Sequence, residues 1–296
     1  MLRLSRVRSS GLEFSLLHGG QGSPVFFLHG FGDSYESFLP QMQYLAQRGY
    51  EVFAPLLRGY EPSSQIEPPD YYISSLVEDF LEQLNNMQLD RVHLVGHDWG
   101  AIVTYAVAAN WPDRLYSATA LSVPYLKRML DAVWKFPSQL AKSWYMFFFQ
   151  LLGLSDYVFS QDNFSFLDRL YEAWSPAWPG KGAHLGKVKK IFSQPGVVNA
   201  ALSYYRCFFD FFSAKGRESF RLITQKIEAP LMVIAGLNDG CVDHRLYDAL
   251  FTREDFVYPP EIIKVPQAGH FVHLEKPEFV NRCLRLWFEK QEKSPS

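Results

Sequence analysis

The sequence has 296 residues, of which 48% are apolar and 20% are charged, as in an ordinary globular protein. Its formal net charge of −2 gives no electrostatic reason to expect nucleic acid or an anionic membrane surface as a partner. Aromatic residues, at 16%, are the one departure from average usage.

The cysteines and the apolar segments bear on where the protein works. Cys207, Cys241 and Cys283 are odd in number and lack metal-ligand spacing, so we expect buried, reduced thiols. Residues 1–20 include basic side chains but no apolar stretch, which argues against a secretory signal. The most apolar segment, 146–154, is shorter than the roughly 20 residues that span a bilayer. We therefore expect a cytoplasmic protein without a membrane span.

Strands and helices alternate along the first part of the chain. We predict strands at 12–17, 25–28, 50–54, 91–95 and 115–123, and helices at 36–48, at 70–87 with Asp70 as N-cap, and at 99–110. This alternation predicts an α/β protein with a mostly parallel sheet flanked by helices, and ligands bound at the carboxyl ends of the strands.

From residue 124 to 221 the pattern is helical only and dense in aromatic side chains. The sheet pattern then resumes, with strands at 231–235 and 262–265 and helices at 242–251 and 276–290. We therefore predict a core made of residues 1–123 and 222–296, interrupted by a helical cap at 124–221. The cap's aromatic side chains are expected to pack together and to line an apolar pocket over the strand ends.

The most specific motif is an aspartate between small residues, placed between a predicted strand and the next helix. Gly96-His97-Asp98-Trp99-Gly100 fits a nucleophile elbow, in which small residues allow a sharp, strained turn. A carboxylate at the helix N-terminus is favoured in its ionised form and can attack saturated carbon without a base. Asp98 can also be interpreted as a simple N-cap. The flanking small residues and the partners below favour the nucleophile.

A loop containing two glycines follows the second predicted strand. It reads His29-Gly30-Phe31-Gly32 and is placed where hydrolases with such an elbow build their oxyanion hole. The backbone N–H groups of Phe31 and Trp99 are expected to point at a developing oxyanion. A glycine-rich loop after a strand can also be a plain turn, and its position in the chain favours the functional interpretation.

The remaining members of a triad follow in the order nucleophile, acid, histidine. His270 lies between the last strand and the last helix, and His273 competes with it but fits better at the start of the helix. Asp239 follows the penultimate strand, whereas Asp243 fits better as the N-cap of the next helix. Asp239 would hold the imidazole in the correct tautomer and stabilise its cation.

These motifs resemble those of the epoxide hydrolases with the α/β-hydrolase fold. The resemblance extends over nearly the whole chain and includes the segments Trp144-Tyr145 and Tyr204-Tyr205-Arg206. It implies an elbow aspartate as nucleophile and two lid tyrosines that donate hydrogen bonds to the epoxide oxygen. Carried over by motif, these are Tyr145 and the tyrosine immediately before Arg206, which is Tyr205.

The resemblance also implies the reaction. An apolar epoxide would form an ester with Asp98, and water activated by His270 and Asp239 would release a vicinal diol. Epoxide and water are then the expected partners, with no metal or organic cofactor, no nucleic acid and no assigned oligomeric state. One departure is Gly32, which occupies a position where the family usually has proline.

Three other functions compete with this one. Haloalkane dehalogenases share the elbow aspartate, and Trp99 with a lid residue such as Trp144 would have to bind the halide, because Phe31 replaces their usual asparagine. The paired tyrosines favour the epoxide. A ligand-binding protein on a hydrolase scaffold is disfavoured because every expected side chain is present. A serine esterase is disfavoured because no serine occupies the elbow.

Overall fold

The computed structural model describes residues 1–129 and 135–293. Its centre is an eight-stranded sheet with the spatial order β1-β2-β4-β3-β5-β6-β7-β8. The strands are β1 Arg3–Ser9, β2 Leu12–Gly20, β3 Ser23–Leu28, β4 Tyr50–Pro55, β5 Val92–His97, β6 Leu115–Leu121, β7 Leu231–Gly236 and β8 Glu261–Val265. β2 runs antiparallel to both of its neighbours, and the other adjacent strands are parallel.

The central strands are apolar along their whole length because both faces of the sheet are covered. Every residue of β5 and β7 is buried, as expected for parallel strands between two layers of helices. The helices of the sheet region are α1 Leu39–Ala46, α2 Ile73–Asn86, α3 Trp99–Asn110, α11 Leu246–Ala249, α12 Val272–Glu275 and α13 Pro277–Lys293. The predicted α/β-hydrolase architecture of this region is confirmed.

The helices between β6 and β7 form a second layer over the sheet, for which we keep the name cap. They are α4 Ser138–Lys142, α5 Trp144–Phe148, α6 Leu154–Ser160, α7 Ser165–Trp174, α8 Lys181–Phe192, α9 Val197–Phe208 and α10 Ala214–Leu222. Among the residues described in this segment no strand occurs, in keeping with the predicted pattern. The buried side chains of the cap are continuous with the larger of the two apolar clusters of the protein.

Three local predictions are wrong. β1 was not anticipated, because its exposed arginines hide the alternation; it joins β2 through Ser10 and Gly11, which both have positive φ as in a tight hairpin turn. The helix expected at 242–251 is reduced to α11. Asp243 therefore caps no such helix, and its carboxylate instead accepts hydrogen bonds from Arg245 and Ser138.

Asp70 is also not the N-cap of α2. Tyr72 occupies that position, and the Asp70 carboxylate instead accepts a hydrogen bond from the Ser75 hydroxyl and pairs with Lys215 of the cap. Its place two residues before the N-cap puts it beyond the geometry of a cap, although it still ties down the first turn of the helix.

Two of the three cysteines are buried as expected. Cys207 and Cys241 are buried, Cys283 is partly buried, and all three are free thiols. Within residues 1–129 and 135–293, none of the helices combines the length and apolarity that a bilayer crossing requires.

Candidate active site

The turn between β5 and α3 is strained and depends on glycine. Asp98 has φ 51° and ψ −114°, a conformation that costs a non-glycine residue free energy and often marks a functional site. A Cβ at Gly96 would lie 2.0 Å from the Gly100 carbonyl oxygen, and one at Gly100 would lie 2.0 Å from the Leu28 carbonyl oxygen. The small residues therefore permit the close approach of strand and helix that the sequence predicted.

The Asp98 side chain does not cap α3. Asp98 occupies the N-cap position but makes no side-chain capping bond. Its Oδ1 instead accepts a hydrogen bond from the Phe31 N–H at 2.7 Å, and its Oδ2 lies 3.5 Å from Nε2 of His270. The side chain is 11% exposed, so its charge is held by these few neighbours. The N-cap interpretation therefore fails for this side chain.

Gly30 leaves the room that the carboxylate occupies. A Cβ at this position would lie 2.3 Å from Cβ of Asp98 and 2.5 Å from its Oδ1. No side chain can therefore stand between the loop after β3 and the elbow. Phe31 is brought to Asp98 because β3 and β5 are adjacent parallel strands that end at the same edge.

His270 is held between two carboxylates. Its Nδ1 lies 3.0 Å from Oδ2 of Asp239, while Nε2 faces Asp98. Asp239 is fixed in turn, because its Oδ1 accepts the backbone N–H groups of Cys241 and Val242 at 2.6 Å and 2.9 Å. These three charged groups come together from β5, β7 and β8, as the predicted order of the triad requires.

The electrostatics favour an imidazolium flanked by carboxylates in the free protein. Burial by itself lowers the pKa of His270, but the charges and hydrogen bonding of Asp239 and Asp98 outweigh it and raise that pKa to about 10. Burial would raise the pKa of Asp98, and the neighbouring His270 instead holds it below its usual range. Asp98 is therefore ionised, as a nucleophile must be.

His273 does not reach Asp98. Its ring stacks on Phe38 with ring centroids 4.8 Å apart, and neither of its nitrogens has a hydrogen-bond partner among the described residues. It lies behind the site, near His97, whose Nε2–H donates to the His270 carbonyl oxygen at 3.0 Å. The choice of His270 over His273 agrees with these positions.

The two lid tyrosines meet above Asp98. The rings of Tyr145 and Tyr205 have centroids 5.7 Å apart, and Tyr205 packs edge-on against Phe31 and Trp99. Burial first, and then the charge of Asp98 among other neighbours, raises the pKa of both phenols well above the usual value. Both therefore stay protonated at neutral pH and can donate a hydrogen bond or a proton.

Several polar atoms around Asp98 lack a well-formed hydrogen bond among the described residues. The Tyr205 hydroxyl and the Trp99 indole N–H have each other as neighbours, and Nε2 of His270 has Asp98 at 3.5 Å. Buried polar groups are normally paired, so a convergent set of unpaired ones indicates a binding site for a polar ligand atom. The backbone N–H of Trp99 is at the first turn of α3, and its role in an oxyanion hole stays a prediction.

Sequence reasoning missed two neighbours of the site. Cys241 was interpreted only as a buried apolar residue, yet its Sγ lies 3.3 Å from the Tyr145 hydroxyl. Asp33 was not singled out, although it follows the glycine loop directly and is buried between His97 and His184. The position of Asp33 next to the loop was the available signal; for Cys241 no local signal existed.

Two groups of described residues offer donor atoms suited to a metal ion. Asp33, His97 and His273 place one ligand atom each within 4.8 Å of one another, and so do Asp239, Cys241 and His270. The second group is part of the triad itself, where its carboxylate and imidazole already bind each other. We therefore assign neither group to a metal on this geometry.

Comparison with known proteins agrees with the fold. Residues 23–277 match the family model described as the alpha/beta hydrolase fold. Human epoxide hydrolase 4 is 25% identical over 97% of this chain and 78% of its own. Epoxide hydrolase A of Mycobacterium tuberculosis is 29% identical over 94% of each chain. The crystal structure of an epoxide hydrolase from Vigna radiata superposes with a TM-score of 0.81, at 23% identity and 98% coverage of both chains.

The family match covers most of the chain and includes the elbow, the glycine loop and both triad partners. The predicted resemblance to epoxide hydrolases is confirmed by relatives that share nearly its whole length. This protein therefore belongs to the α/β-hydrolase fold family, and over nearly its whole length it is similar to epoxide hydrolases.

Proposed function

We propose that the protein hydrolyses an apolar epoxide to a vicinal diol through a covalent ester on Asp98. This proposal rests on the surroundings of the Asp98 carboxylate. It is ionised, held by the Phe31 N–H, backed by the His270–Asp239 pair, and faced by two protonated, buried phenols. A serine hydrolase would need a hydroxyl where Asp98 stands.

In the first step Asp98 attacks one carbon of the oxirane, and the ring C–O bond breaks. The departing oxygen would carry a full negative charge in an apolar pocket, which is expensive unless it is compensated. Tyr145 and Tyr205 donate hydrogen bonds to that oxygen and one of them transfers its proton. General acid assistance of this kind contributes roughly 10²–10⁴-fold in rate.

The second step needs a neutral His270, and the first step helps to provide one. Esterification turns Asp98 into an uncharged group and removes one of the two carboxylates that raise the pKa of His270. The imidazolium can then release its proton, which replaces the proton lost by the phenol. His270 next deprotonates a water that attacks the ester carbonyl carbon, and the Phe31 N–H stabilises the oxyanion on Oδ1. The intermediate then collapses with cleavage of the bond between that carbon and the substrate oxygen. The leaving oxygen takes the proton of the new carboxyl group, so the diol is released and Asp98 and His270 return to carboxylate and imidazolium.

Haloalkane dehalogenation is less well supported by this site. The lid residue considered as a second halide donor, Trp144, is 52% exposed and lies on the outer side of α5, whereas its neighbour Tyr145 is buried towards Asp98. Trp99 would be left as the sole indole donor among the candidates. Release of bromide from bromoalkanes, measured beside diol formation from styrene oxide, distinguishes the two reactions.

The proposal is tested by trapping the ester. In His270→Gln, ring opening proceeds but the water is no longer activated. Incubation with styrene oxide is then expected to raise the intact mass by that of one epoxide molecule, with the adduct on the peptide that contains Asp98. Asp98→Asn should give no adduct.

His93→Gln is a matched control. His93 is a buried histidine of the same sheet, but its ring contacts Ser117 and Glu292, far from the elbow. This variant should turn over normally and accumulate no ester. If His270→Gln remains unmodified by every epoxide that the wild type hydrolyses, the covalent mechanism is wrong.

A further inference from the structure

Three consecutive residues of the glycine loop, Phe31, Gly32 and Asp33, are each held by the cap. Phe31 supplies the N–H that holds Oδ1 of Asp98, so the position of this short segment sets the geometry of the oxyanion hole. In the core it contacts Asp98 through the Phe31 N–H and His97 through the Asp33 carboxylate. Further contacts come from cap helices that are far away in the sequence.

The backbone of the segment is anchored at Gly32. Gly32 has φ +63°, a conformation that glycine adopts freely and proline cannot. Its carbonyl oxygen accepts a hydrogen bond from the Tyr171 hydroxyl at 2.5 Å, and Tyr171 is fully buried in α7. The Tyr171 ring also stacks on Phe271, next to the catalytic-triad histidine, with centroids 4.5 Å apart. One cap side chain therefore contacts both the oxyanion loop and the histidine loop.

Asp33 is anchored through its charge. The side chain is fully buried, and its Oδ1 accepts hydrogen bonds from Nε2 of His184 in α8 at 2.9 Å and from the Ser34 N–H at 2.8 Å. A buried carboxylate that loses a partner is left with a costly uncompensated charge. The bond from the cap therefore restrains the loop more strongly than a contact at the surface would.

The Phe31 ring is enclosed by aromatic residues of the cap. Its neighbours within ring-contact distance are Phe149, Phe159, Trp174, Phe192 and Tyr205. Aromatic contacts of this kind fix the orientation of the ring, and with it the direction of the backbone N–H on the same residue. The three anchors act on three adjacent residues, so they restrain one rigid unit.

We propose that Tyr171 and His184 are positioning residues through which the cap aligns the Phe31 N–H with Oδ1 of Asp98; this inference rests on the proposed two-step function. The alignment matters unequally for the two steps. During ring opening Asp98 loses negative charge, so a weaker hydrogen bond from Phe31 does not slow the attack. During ester hydrolysis negative charge develops on Oδ1, and there the bond must strengthen.

The inference predicts a particular kinetic signature. In Tyr171→Phe, ester hydrolysis should slow about tenfold, below the roughly 10²–10³-fold loss seen when an oxyanion donor is removed outright. Because ring opening is unaffected, kcat and KM should fall together and kcat/KM should stay unchanged. The fraction of enzyme present as ester during turnover, measured by rapid quench and intact mass, should rise.

Substitutions at His184 provide a second, independent readout. His184→Leu should give the same signature as Tyr171→Phe, and His184→Gln, which keeps an N–H donor, should recover part of the hydrolysis rate. Tyr204→Phe is the matched control, since Tyr204 is also a buried cap tyrosine that donates to a core carbonyl, that of Arg58, away from the loop. It should leave the ratio of the two steps unchanged.

Different results would contradict the positioning role and the proposed function. Suppose that His270→Gln forms an ester. If kcat/KM falls together with kcat in Tyr171→Phe and in His184→Leu, or if neither parameter changes in these two variants, the positioning role is wrong and the proposed function stands. If no ester forms in any variant, the proposed function is wrong, and the positioning role, which rests on it, is wrong as well. Thermal melts of each variant identify any that are unfolded at the assay temperature.

Discussion

Two adjacent tyrosines of α9 show that the role of a side chain depends on its surroundings. Tyr204 and Tyr205 are both fully buried, but the Tyr204 hydroxyl donates to the Arg58 carbonyl oxygen at 2.7 Å, while the Tyr205 hydroxyl has no partner among the described residues. The first hydroxyl has its partner within the protein, and the second is the one that we propose to contact the epoxide oxygen. Their roles can therefore be separated by removing one oxygen atom at a time.

We predict that Tyr205→Phe and Tyr145→Phe each slow ring opening, because each removes one donor to the departing oxygen. The double variant should lose roughly 10²–10⁴-fold in kcat/KM, the usual contribution of a general acid, and each single variant less. Single-turnover ester formation with styrene oxide measures this step directly. Tyr204→Phe should keep the rate but lose about 1–3 kcal/mol of stability, because the buried Arg58 carbonyl loses its partner. Equal rate losses in all three single variants would contradict the assignment.

At the scale of elements, the elbow and the glycine loop form one unit built on close backbone approach. β3 and β5 end side by side, and the loop after one touches the turn after the other at Gly30. A strained turn persists only when its surroundings hold it. Here the Gly100 N–H donates to the His29 carbonyl oxygen at 3.0 Å, so the loop supports the turn as well as the Asp98 carboxylate.

We predict that Gly30→Ala folds but loses at least about 100-fold in the rate of ester formation, since a displacement of 1 Å at a reacting group can cost that much. The added Cβ would lie 2.3 Å from Cβ of Asp98 and must push it aside. Gly186→Ala is the matched control, because Gly186 lies in α8 with nothing within 4 Å of the added methyl group. That change should leave the rate intact and stabilise the helix by about 0.5–1 kcal/mol. Normal activity of Gly30→Ala would show that the nucleophile sits elsewhere.

The same scale explains the one helix that was predicted and is largely missing. The apolar spacing of residues 242–251 is typical of a helix, but the Asp239 carboxylate accepts hydrogen bonds from the N–H groups of Cys241 and Val242. Cap residue Gln139 takes the Asp243 N–H through its side-chain oxygen at 2.8 Å. With these donors occupied, the helix begins later, and the segment serves the triad and the cap instead.

At the scale of the whole molecule, one buried ion pair joins the edge of the sheet, helix α2 and the cap. Arg58 donates to both carboxylate oxygens of Asp79 in α2 at 2.7 Å, and Ser9 of β1 donates to the same carboxylate at 2.9 Å. The backbone carbonyl of Arg58 receives the Tyr204 hydroxyl from the cap. A single side chain and its backbone therefore link three regions of the protein.

We predict that Arg58→Met destabilises the protein by about 3–5 kcal/mol, since removal of one partner leaves a buried charge uncompensated. The double variant Arg58→Met, Asp79→Leu should recover much of this loss, because neither charge is then buried. Urea denaturation of both variants gives the comparison. The exposed pair Arg221 and Glu218 is the control, as Arg221→Met should cost less than about 1 kcal/mol. If the double variant is no more stable than the single one, the loss comes from packing and not from charge.

The sequence by itself determined the alternation of strands and helices, the elbow and the order of the triad. These are local properties. The predicted helix at 99–110 has the bounds of α3, because Gly96 and Gly100 mark the turn before it. It also favoured His270 over His273 and Tyr205 over Tyr204 through motif position. In the structure His270 lies beside Asp98, and the Tyr204 hydroxyl donates to the Arg58 carbonyl oxygen.

Tertiary structure alone decided which distant residues support that machinery. Tyr171 meets Gly32, His184 meets Asp33 and Cys241 meets Tyr145 across separations of 139, 151 and 96 residues. No periodicity or motif encodes such pairs, because each depends on how the cap helices lie on the sheet edge. The candidate site residues can therefore be predicted from short motifs, whereas the alignment of their side chains results from long-range packing.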